Sequence, residues 1–455
     1  MPKWRIRVGT ASEFPSTAPI GIASPPVNPL VSTIQMSCGH AEFAVNIHKH
    51  PSGSSHEYSA SVLLRTGQYW PAPPAAPPGY VLEELARWEF SSANEADPWV
   101  EVEGFIAVQS HNAAASGCIG FGVLLGHDAS IAALHRPNGW GSTASIRLGT
   151  PARSPIPSIP AAVVVAFRGS RMTRCAVPKI PPAGVASNSW RSSWSEREHA
   201  EAIEAVRAAI ELGEVYQVNL VNHRWASLSG NGAACSAAWA LTRLGSAYSG
   251  SIVGPGWSVH CASPELALRL RAGVVTTEPI KGTVAIAQGG APALRASLKD
   301  RAEHVMIVDL ERNDLARVAE VGSVSVTDFY LVREWAGLAH AHSSVSATIG
   351  AGVGLSELLR AVLPGGSVTG APKSSALRLI HQLEPVGRGP AMGAMGWVGL
   401  DGSAELALTI RTIACDERAQ RVHVWAGGGV TWGSTPDGEI AEAQAKAAPL
   451  IAALA

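Results

Sequence analysis

The spacing of apolar and polar residues divides this chain into a faint first part and a sharply patterned second part. From Ser195 to the end, helix-like and strand-like stretches alternate. Ser195, with Glu196 and Glu198 close behind, is a helix start, and apolar positions at helical spacing run from Ala200 to Leu212 before Gly213 stops them. Glu214 to Leu220 is alternating and β-branched, which predicts a strand. From Lys299 to Val318, Ala302, Met306 and Leu310 repeat on one helical face, and Ser374 to Leu383 predicts another helix. Glu405 to Ile413 alternates as one strand, with Ala407, Thr409 and Arg411 on the same face. Val422 to Trp425 runs into three glycines, and Ser434 or Thr435 then caps a final helix. Before residue 190 the pattern predicts strands at Tyr58 to Leu64 and Ala161 to Phe167, and a short helix at Val81 to Trp88. Pro71 to Gly79 reads as an extended loop, Gly117 to Gly122 as a Gly-rich strand or turn, and Val177 to Ser193 as loop.

Composition narrows the class without changing that outline. The 455 residues are 46% hydrophobic and 16% charged, material for a sizeable core. A net charge of −1 lacks the basic footprint of a nucleic-acid binder and gives no attraction to an anionic membrane. The six cysteines (Cys38, Cys118, Cys175, Cys235, Cys261 and Cys415) form no CxxC pair, so they read as buried free thiols of a reducing cytoplasm. The first residues lack the apolar run of a signal peptide, and no stretch is long and apolar enough to span a bilayer.

Candidate chemistry gathers in the second part. Lys281 sits in Glu278-Pro279-Ile280-Lys281-Gly282-Thr283, an amine between a proline and a glycine at a strand end. Burial or a neighbouring cation would make it a nucleophile; from the hexapeptide alone an ordinary solvated turn lysine is the plainer reading. Glu265, behind Ser263-Pro264, is placed at the mouth of a strand, held but not buried, as a carboxyl for acid–base work or a plain surface glutamate. Asp300 and Glu303 can point one way along a helix, and Asp309, Arg312, Asn313 and Asp314 read as a structural knot at its end. Glycines and hydroxyls from Gly365 to Thr369, before a helix, offer donors to an anion. Arg411 needs an anionic partner, structural or substrate. Gly427, Gly428 and Gly429 offer backbone amides without the dinucleotide fingerprint. Glu439, Glu442 and Lys446 share one helical face, where the two carboxylates suit Mg²⁺ or, as plainly, a solvated Glu–Lys pair.

Taken in order, these stretches resemble the chorismate-utilising family, which includes anthranilate synthase component I, aminodeoxychorismate synthase component I, isochorismate synthase and salicylate synthase. The resemblance covers residues 195–455; residues 1–190 fall where the family has a variable N-terminal portion that co-folds with the core. It implies an α+β fold, two packed, mainly antiparallel sheets with helices outside. Gln217 stands where the water-adding members carry a lysine, which disfavours isochorismate and salicylate chemistry. Lys281 stands where anthranilate synthases carry Ala, and Pro-Ile-Lys-Gly-Thr with Pro-Gly-Gly-Ser-Val-Thr-Gly-Ala-Pro-Lys is similar to the aminodeoxychorismate synthase branch. The tryptophan-sensing Leu-Leu-Glu-Ser motif is replaced by Leu63-Leu64-Arg65-Thr66.

The resemblance further implies the residue roles. Lys281 is the covalent nucleophile, Glu265 the acid, and His340 a positioning or proton-transfer group. Thr283, Thr369, Arg411, Lys446 and the amides of Gly427, Gly428 and Gly429 bind chorismate. Glu303, Glu439 and Glu442 hold Mg²⁺. A separate glutamine amidotransferase subunit supplies ammonia, for amination at C4 on the way to p-aminobenzoate and folate. Anthranilate synthase component I is the second enzymatic expectation. The chain departs from the family at Ala391, where an aromatic is usual, at Gly433, where Asp is usual, and in having no Arg shortly after Lys373; Ala391 and Gly433 motivate a third expectation, an impaired chorismate-binding or partner-binding paralogue.

Overall fold

Ser195 caps the helix Glu196–Glu211 with a reciprocal pair of hydrogen bonds: its hydroxyl accepts from the Glu198 N–H at 3.2 Å, and the Glu198 carboxylate accepts from the Ser195 N–H at 2.8 Å. Ala202, Ile203, Val206 and Ala209 form its buried face, as the helical spacing requires. The computed structural model describes residues 80–91, 96–135, 151–171, 189–228, 246–335 and 338–454, isolated residues 185, 237 and 244, and the backbone of the strands Arg5–Arg7, Val31–Cys38, Ala41–Lys49 and Tyr58–Arg65. The proline-rich stretch at 71–79, Thr66 and most of the loop expected from 177 to 193 lie outside the described residues; the described end of that loop holds the short strand Arg191–Ser192 rather than loop alone.

Two antiparallel sheets carry the chain. One has eleven strands among the described residues. From the edge Arg5–Arg7 it passes through Val31–Cys38, Ala41–Lys49, Tyr58–Arg65, Tyr248–Gly254, Trp257–Ser263, Thr412–Asp416 and Arg421–Val430 to Gln217–Ser227. Two short strands, Gly370–Ala371 and Arg191–Ser192, complete it on Gln217–Ser227. The other sheet has ten, in the order Ile280–Ala285, Leu338–Thr348, Val274–Glu278, Leu266–Arg271, Ala404–Leu408, Ala394–Gly399, Cys118–Leu125, Ala162–Arg171, Tyr80–Phe90, with Ser325–Trp335 also on Leu338–Thr348. Strands from before and after residue 190 pair in both. One apolar core draws on both sheets: Ile252, Trp257, Val259 and Trp425 from the first, Phe121, Val165, Leu268, Val345 and Leu406 from the second. Helices Glu196–Glu211 and Pro436–Leu454 cover the first sheet; Gly290–Ala296 and Leu298–Ala316 lie on the second. The expected α+β architecture is the one found.

Three local expectations need correction. Residues 81–88 are not a helix but part of the strand Tyr80–Phe90, paired with Ala162–Arg171 across a register shift between Glu84 and Ala86. The sheet partner supplies hydrogen bonds that override the weak helical pattern of Leu-Glu-Glu-Leu-Ala. The strand expected at 214–220 runs instead over Gln217–Ser227. Residues 405–413 are not one strand: Ala404–Leu408 belongs to one sheet and Thr412–Asp416 to the other. Thr409, Ile410 and Arg411 make the crossing, with Arg411 in the left-handed region at φ 50°. Alternation survives the crossing because both sheets turn an apolar face inward, so periodicity alone could not reveal it.

A second crossing runs beside the first. Ser263, Pro264 and Glu265 carry the chain from Trp257–Ser263 into Leu266–Arg271. The two are stitched by Leu408 N–H to Glu265 C=O (3.1 Å) and Ala262 N–H to Arg411 C=O (3.1 Å). Glu265 and Arg411 therefore stand where the two sheets join. Glu265 is buried there, not held at an exposed strand mouth.

Candidate active site

Lys281 is aimed by a β-bulge. Ile280 lies opposite His342 and Thr283 opposite His340, so the lysine strand carries one residue more than its partner between those pairs. Gly282 absorbs the extra residue at φ +83°, where a Cβ would sit 2.7 Å from Leu294 Cδ1 and 3.2 Å from Asp300 Cβ. His304, on the helix Leu298–Ala316, reaches the Lys281 carbonyl through Nδ1 (3.3 Å) and the Ser343 hydroxyl through Nε2 (2.6 Å). A carbonyl only accepts, so Nδ1 carries the proton and Ser343 donates to Nε2. Burial lowers the His304 pKa to about 4, which keeps the ring neutral in this arrangement.

The amine of Lys281 reaches the glycine run. Its Nζ is 2.9 Å from the position a Cβ on Gly429 would take, and Gln217 Nε2 is 2.2 Å from that same position. Burial, then the Lys446 ammonium, lower the Lys281 pKa; Glu303, Glu265 and Glu442 oppose them. Both amide atoms of Gln217 are buried with no hydrogen-bond partner among the described residues. The side chain named in the sequence only as a discriminator thus lies beside the lysine.

Gly427–Gly429 ends the strand Arg421–Val430 past its last pairing with Thr412–Asp416, at Ile413 and Val424. A strand residue sends its N–H and C=O out by the same edge. The Gly427 carbonyl accepts from Lys446 Nζ at 2.9 Å, so the Gly427 and Gly429 amides leave by that edge, away from Gln217–Ser227. Gly428 turns its other face to the C-terminal helix, where a Cβ would meet Glu439 Oε2 at 2.7 Å and Glu442 Oε1 at 3.3 Å.

The three expected metal ligands are not equally placed. Glu439 Oε1 accepts from the Ser434 hydroxyl at 2.6 Å, while its Oε2 is buried without a hydrogen-bond partner among the described residues. Glu442 pairs with Lys446 at 2.6 Å; burial pushes its pKa up, but Lys446 outweighs that and the net shift is downward. Glu303 accepts from the Thr431 hydroxyl at 3.3 Å and lies 3.8 Å from Lys299. Burial raises both Glu303 and Glu439, and Glu442 repels Glu439 further. Among the described residues no three such side chains close into a metal cage. Two converging carboxylates, with one orphaned buried oxygen and a third nearby, nevertheless fit Mg²⁺, which keeps waters and takes oxygens from a substrate.

Other expected residues divide. His340 is buried with its Nδ1 3.0 Å from the Thr283 hydroxyl and its Nε2 unpartnered; burial, then Arg411 and His342, lower its pKa to about 4. Thr283 itself is exposed. The Arg411 guanidinium has no hydrogen bond or ion pair among the described residues, and burial lowers its pKa. Lys446 is already engaged by Glu442 and Gly427. Thr369 is fully buried and donates to the Gly365 carbonyl at 2.8 Å, so its hydroxyl turns into its own loop rather than outward. The knot expected at 309–314 splits. Asp309 and Arg312 form an exposed pair, whereas Asp314 is buried against Lys373, because only every third or fourth residue of the helix faces inward. Thr435, not Ser434, accepts at the final helix start, from Gly438 N–H (3.3 Å). Sequence reasoning missed His304, Thr431 and Ser434; the adjacency of Glu303 and His304 was the available signal.

A profile of the chorismate binding enzyme family matches residues 168–452. Aminodeoxychorismate synthase component 1 of Klebsiella aerogenes is 37% identical over 265 residues, 56% of this chain and 57% of that protein. An anthranilate synthase component 1 of Haloarcula marismortui is 35% identical over 283 residues, 60% of this chain and 57% of that protein. The chain thus spans a little over half the length of these relatives. Anthranilate synthase component I from Streptococcus pneumoniae TIGR4 superposes with a TM-score of 0.68 at 22% identity, over 85% of this chain and 95% of that one, and so shares its fold. With the profile covering well over half of its residues, this chain belongs to the chorismate binding enzyme family.

Proposed function

We propose that this chain is an aminodeoxychorismate synthase component I, aminating chorismate at C4 with ammonia from a glutaminase subunit. The observation that carries the proposal is the bulge-presented Lys281 amine, with its lowered pKa, facing the Gly427–Gly429 edge. Burial together with a neighbouring ammonium favours the neutral, nucleophilic amine. Arg411, without an ion pair among the described residues, and the outward amides of Gly427 and Gly429 suit the carboxylates of a diacid. Mg²⁺, held by Glu439, Glu442 and Glu303, would neutralise the ring carboxylate.

Lys281 attacks C2 as the ring double bonds shift and the C4–O bond breaks. Glu265, its pKa raised by burial, protonates the departing hydroxyl, which leaves as water. Ammonia then bonds to C4, the double bonds return, and the C2–N bond breaks to release Lys281. The proton shed by the new ammonium restores Glu265. Gln217, an amide without basic character, offers no base for water at the same place. His340, neutral above its lowered pKa, has Nε2 free for a hydrogen bond to substrate.

The test is the purified chain with chorismate, Mg²⁺ and ammonium, its product identified by mass and by fluorescence after lyase treatment. Turnover to aminodeoxychorismate, abolished in Lys281→Ala, is expected; a Lys281→Ala enzyme as active as the parent sinks the covalent role. Anthranilate as product would favour the second reading, which the Haloarcula relative supports. Chorismate binding without turnover would favour an impaired paralogue; Ala391, where the family usually has an aromatic, is fully buried in the apolar core. Glutamine-dependent turnover with a co-purified amidotransferase tests the partner.

A further inference from the structure

The strand Leu338–Thr348 lies between two irregular neighbours. On one side Ile280–Ala285 carries the Lys281 bulge, where Ala341 alone stands opposite Lys281 and Gly282. On the other, the register of Ser325–Trp335 shifts between Asp328 and Leu331, and Tyr330 takes a left-handed backbone there at φ 54°. Ser343 joins the two sides. Its N–H donates to Pro279 C=O at 3.2 Å, and its hydroxyl accepts from Tyr330 N–H at 3.0 Å and donates to His304 Nε2 at 2.6 Å. His304 Nδ1–H in turn donates to Lys281 C=O at 3.3 Å. A closed circuit thus runs from Pro279 through Ser343 and His304 to Lys281. Fully buried, the His304 ring meets the Tyr330 ring edge-on at 5.2 Å. The Tyr330 hydroxyl donates to Leu294 C=O at 3.0 Å, and Leu294 fills the space beside Gly282.

We propose that His304 is the positioning residue of the nucleophile: its Nδ1–H holds the carbonyl of the bulged Lys281, and the Ser343 hydroxyl holds the ring in the tautomer that allows it. This rests on the reading of Lys281 as the nucleophile. A bulge takes its extra residue out of the regular ladder, so the backbone there is fixed by whatever else it bonds. A neutral imidazole has one donor and one acceptor, and here each is spent, on Lys281 and on Ser343. His304 therefore has nothing left to offer a substrate or a metal ion. Glu303, expected at the metal, is the preceding residue of the same helix, Leu298–Ala316, so one helical turn sets both that carboxylate and the lysine backbone. Loss of the His304 donor falls on the approach of the amine to C2 and leaves the binding of chorismate and Mg²⁺ as it was. No bond to His304 is made or broken in the reaction.

The experiment compares His304→Asn with His304→Gln in the full chain, assayed with chorismate, Mg²⁺ and ammonium, with Lys281→Ala in parallel. The Asn amide can put an N–H where the imidazole Nδ1–H stands. The longer Gln puts its amide nearer the Nε2 position, towards Ser343. His304→Asn should keep kcat within ~10-fold of the parent, and His304→Gln should lose roughly 100-fold, the cost of misplacing a reacting group by an ångström. The chorismate KM and the Mg²⁺ midpoint should stay unchanged in both. His304→Gln as fast as His304→Asn or faster overturns the inference, because a ring that only props up Ser343 would be replaced best by Gln. A KM or Mg²⁺ midpoint that rises as kcat falls overturns it too. Ser343→Ala leaves the ring in place without the hydroxyl that sets its tautomer. It should lower kcat by ~10-fold at unchanged KM. That variant keeps the test open should the His304 variants fold poorly, and a parent-like kcat in it overturns the inference. An inactive Lys281→Ala beside parent-like His304 variants overturns this inference alone. A fully active Lys281→Ala overturns the nucleophile and this inference together.

Discussion

Gly428 shows how a single missing side chain builds a site. Its absent Cβ leaves room for the Glu439 and Glu442 carboxylates to converge. An alanine there would press on Glu439 Oε2, whose partner oxygen is pinned by Ser434. Gly428→Ala should therefore raise the Mg²⁺ concentration for half-maximal activity by roughly 10–100-fold, the usual cost of disturbing a metal's surroundings. A Mg²⁺ titration with an unchanged midpoint would remove these carboxylates from metal binding. Of the residues named from sequence, Lys281 and Gly429 face one another, and both sit on backbone features that sequence can show: a Pro/Gly frame and a glycine run. Thr369 carried a plausible residue type but no information on which way its hydroxyl turns.

Among the elements, the turn Gly366–Val368 and the strand Gln217–Ser227 are held by one buried cation. Arg388, 2% exposed, donates to both Glu384 oxygens (2.7 and 2.9 Å), to Val368 C=O (2.6 Å) and to Asn219 C=O (2.7 Å). Burial raises the Glu384 pKa and Arg388 opposes it. Arg388→Met would strand a buried carboxylate and two carbonyls, so equilibrium denaturation should show a loss of about 3–5 kcal/mol. Adding Glu384→Gln should recover part of it, since the unpaired charge is then gone. An unaffected single variant would show that the pair does not hold the turn. Nothing in Arg388-Gly389-Pro390 signals this, because its partners lie far along the chain.

Over the whole molecule, burial leaves eight described histidines with lowered pKa values: His127, His199, His223, His260, His304, His340, His342 and His423. His260 is the simplest: fully buried, bonded to the Ser251 and Ser258 hydroxyls at 2.8 Å each, with its pKa lowered to about 3 by burial alone. The unfolded chain takes up a proton on this ring below about pH 6.5 and the native chain does not until near its lowered pKa. Its stabilising effect is thus complete above the unfolded value and is lost as pH falls through that window. Buried carboxyls with raised pKa values work in the opposite sense, so the check is a difference. His260→Gln should make the thermal midpoint decline less steeply than the parent's from about pH 6.5 to 4. Equal slopes would show that His260 is not the buried neutral group assigned.

The order of motifs along the chain was enough to specify the family and, through that resemblance, the pair of antiparallel sheets, while the Pro/Gly frame of Lys281 and the capping residue Ser195 could be read locally because backbone chemistry at Pro, Gly and capping positions is local. Tertiary structure decided what depends on neighbours distant in sequence. The coupled crossings that bury Glu265, the bulge that aims Lys281 and the strand at Tyr80–Phe90 are all of this kind. Periodicity records which side of an element is apolar; it does not record which sheet the element joins, nor which distant group meets a buried charge.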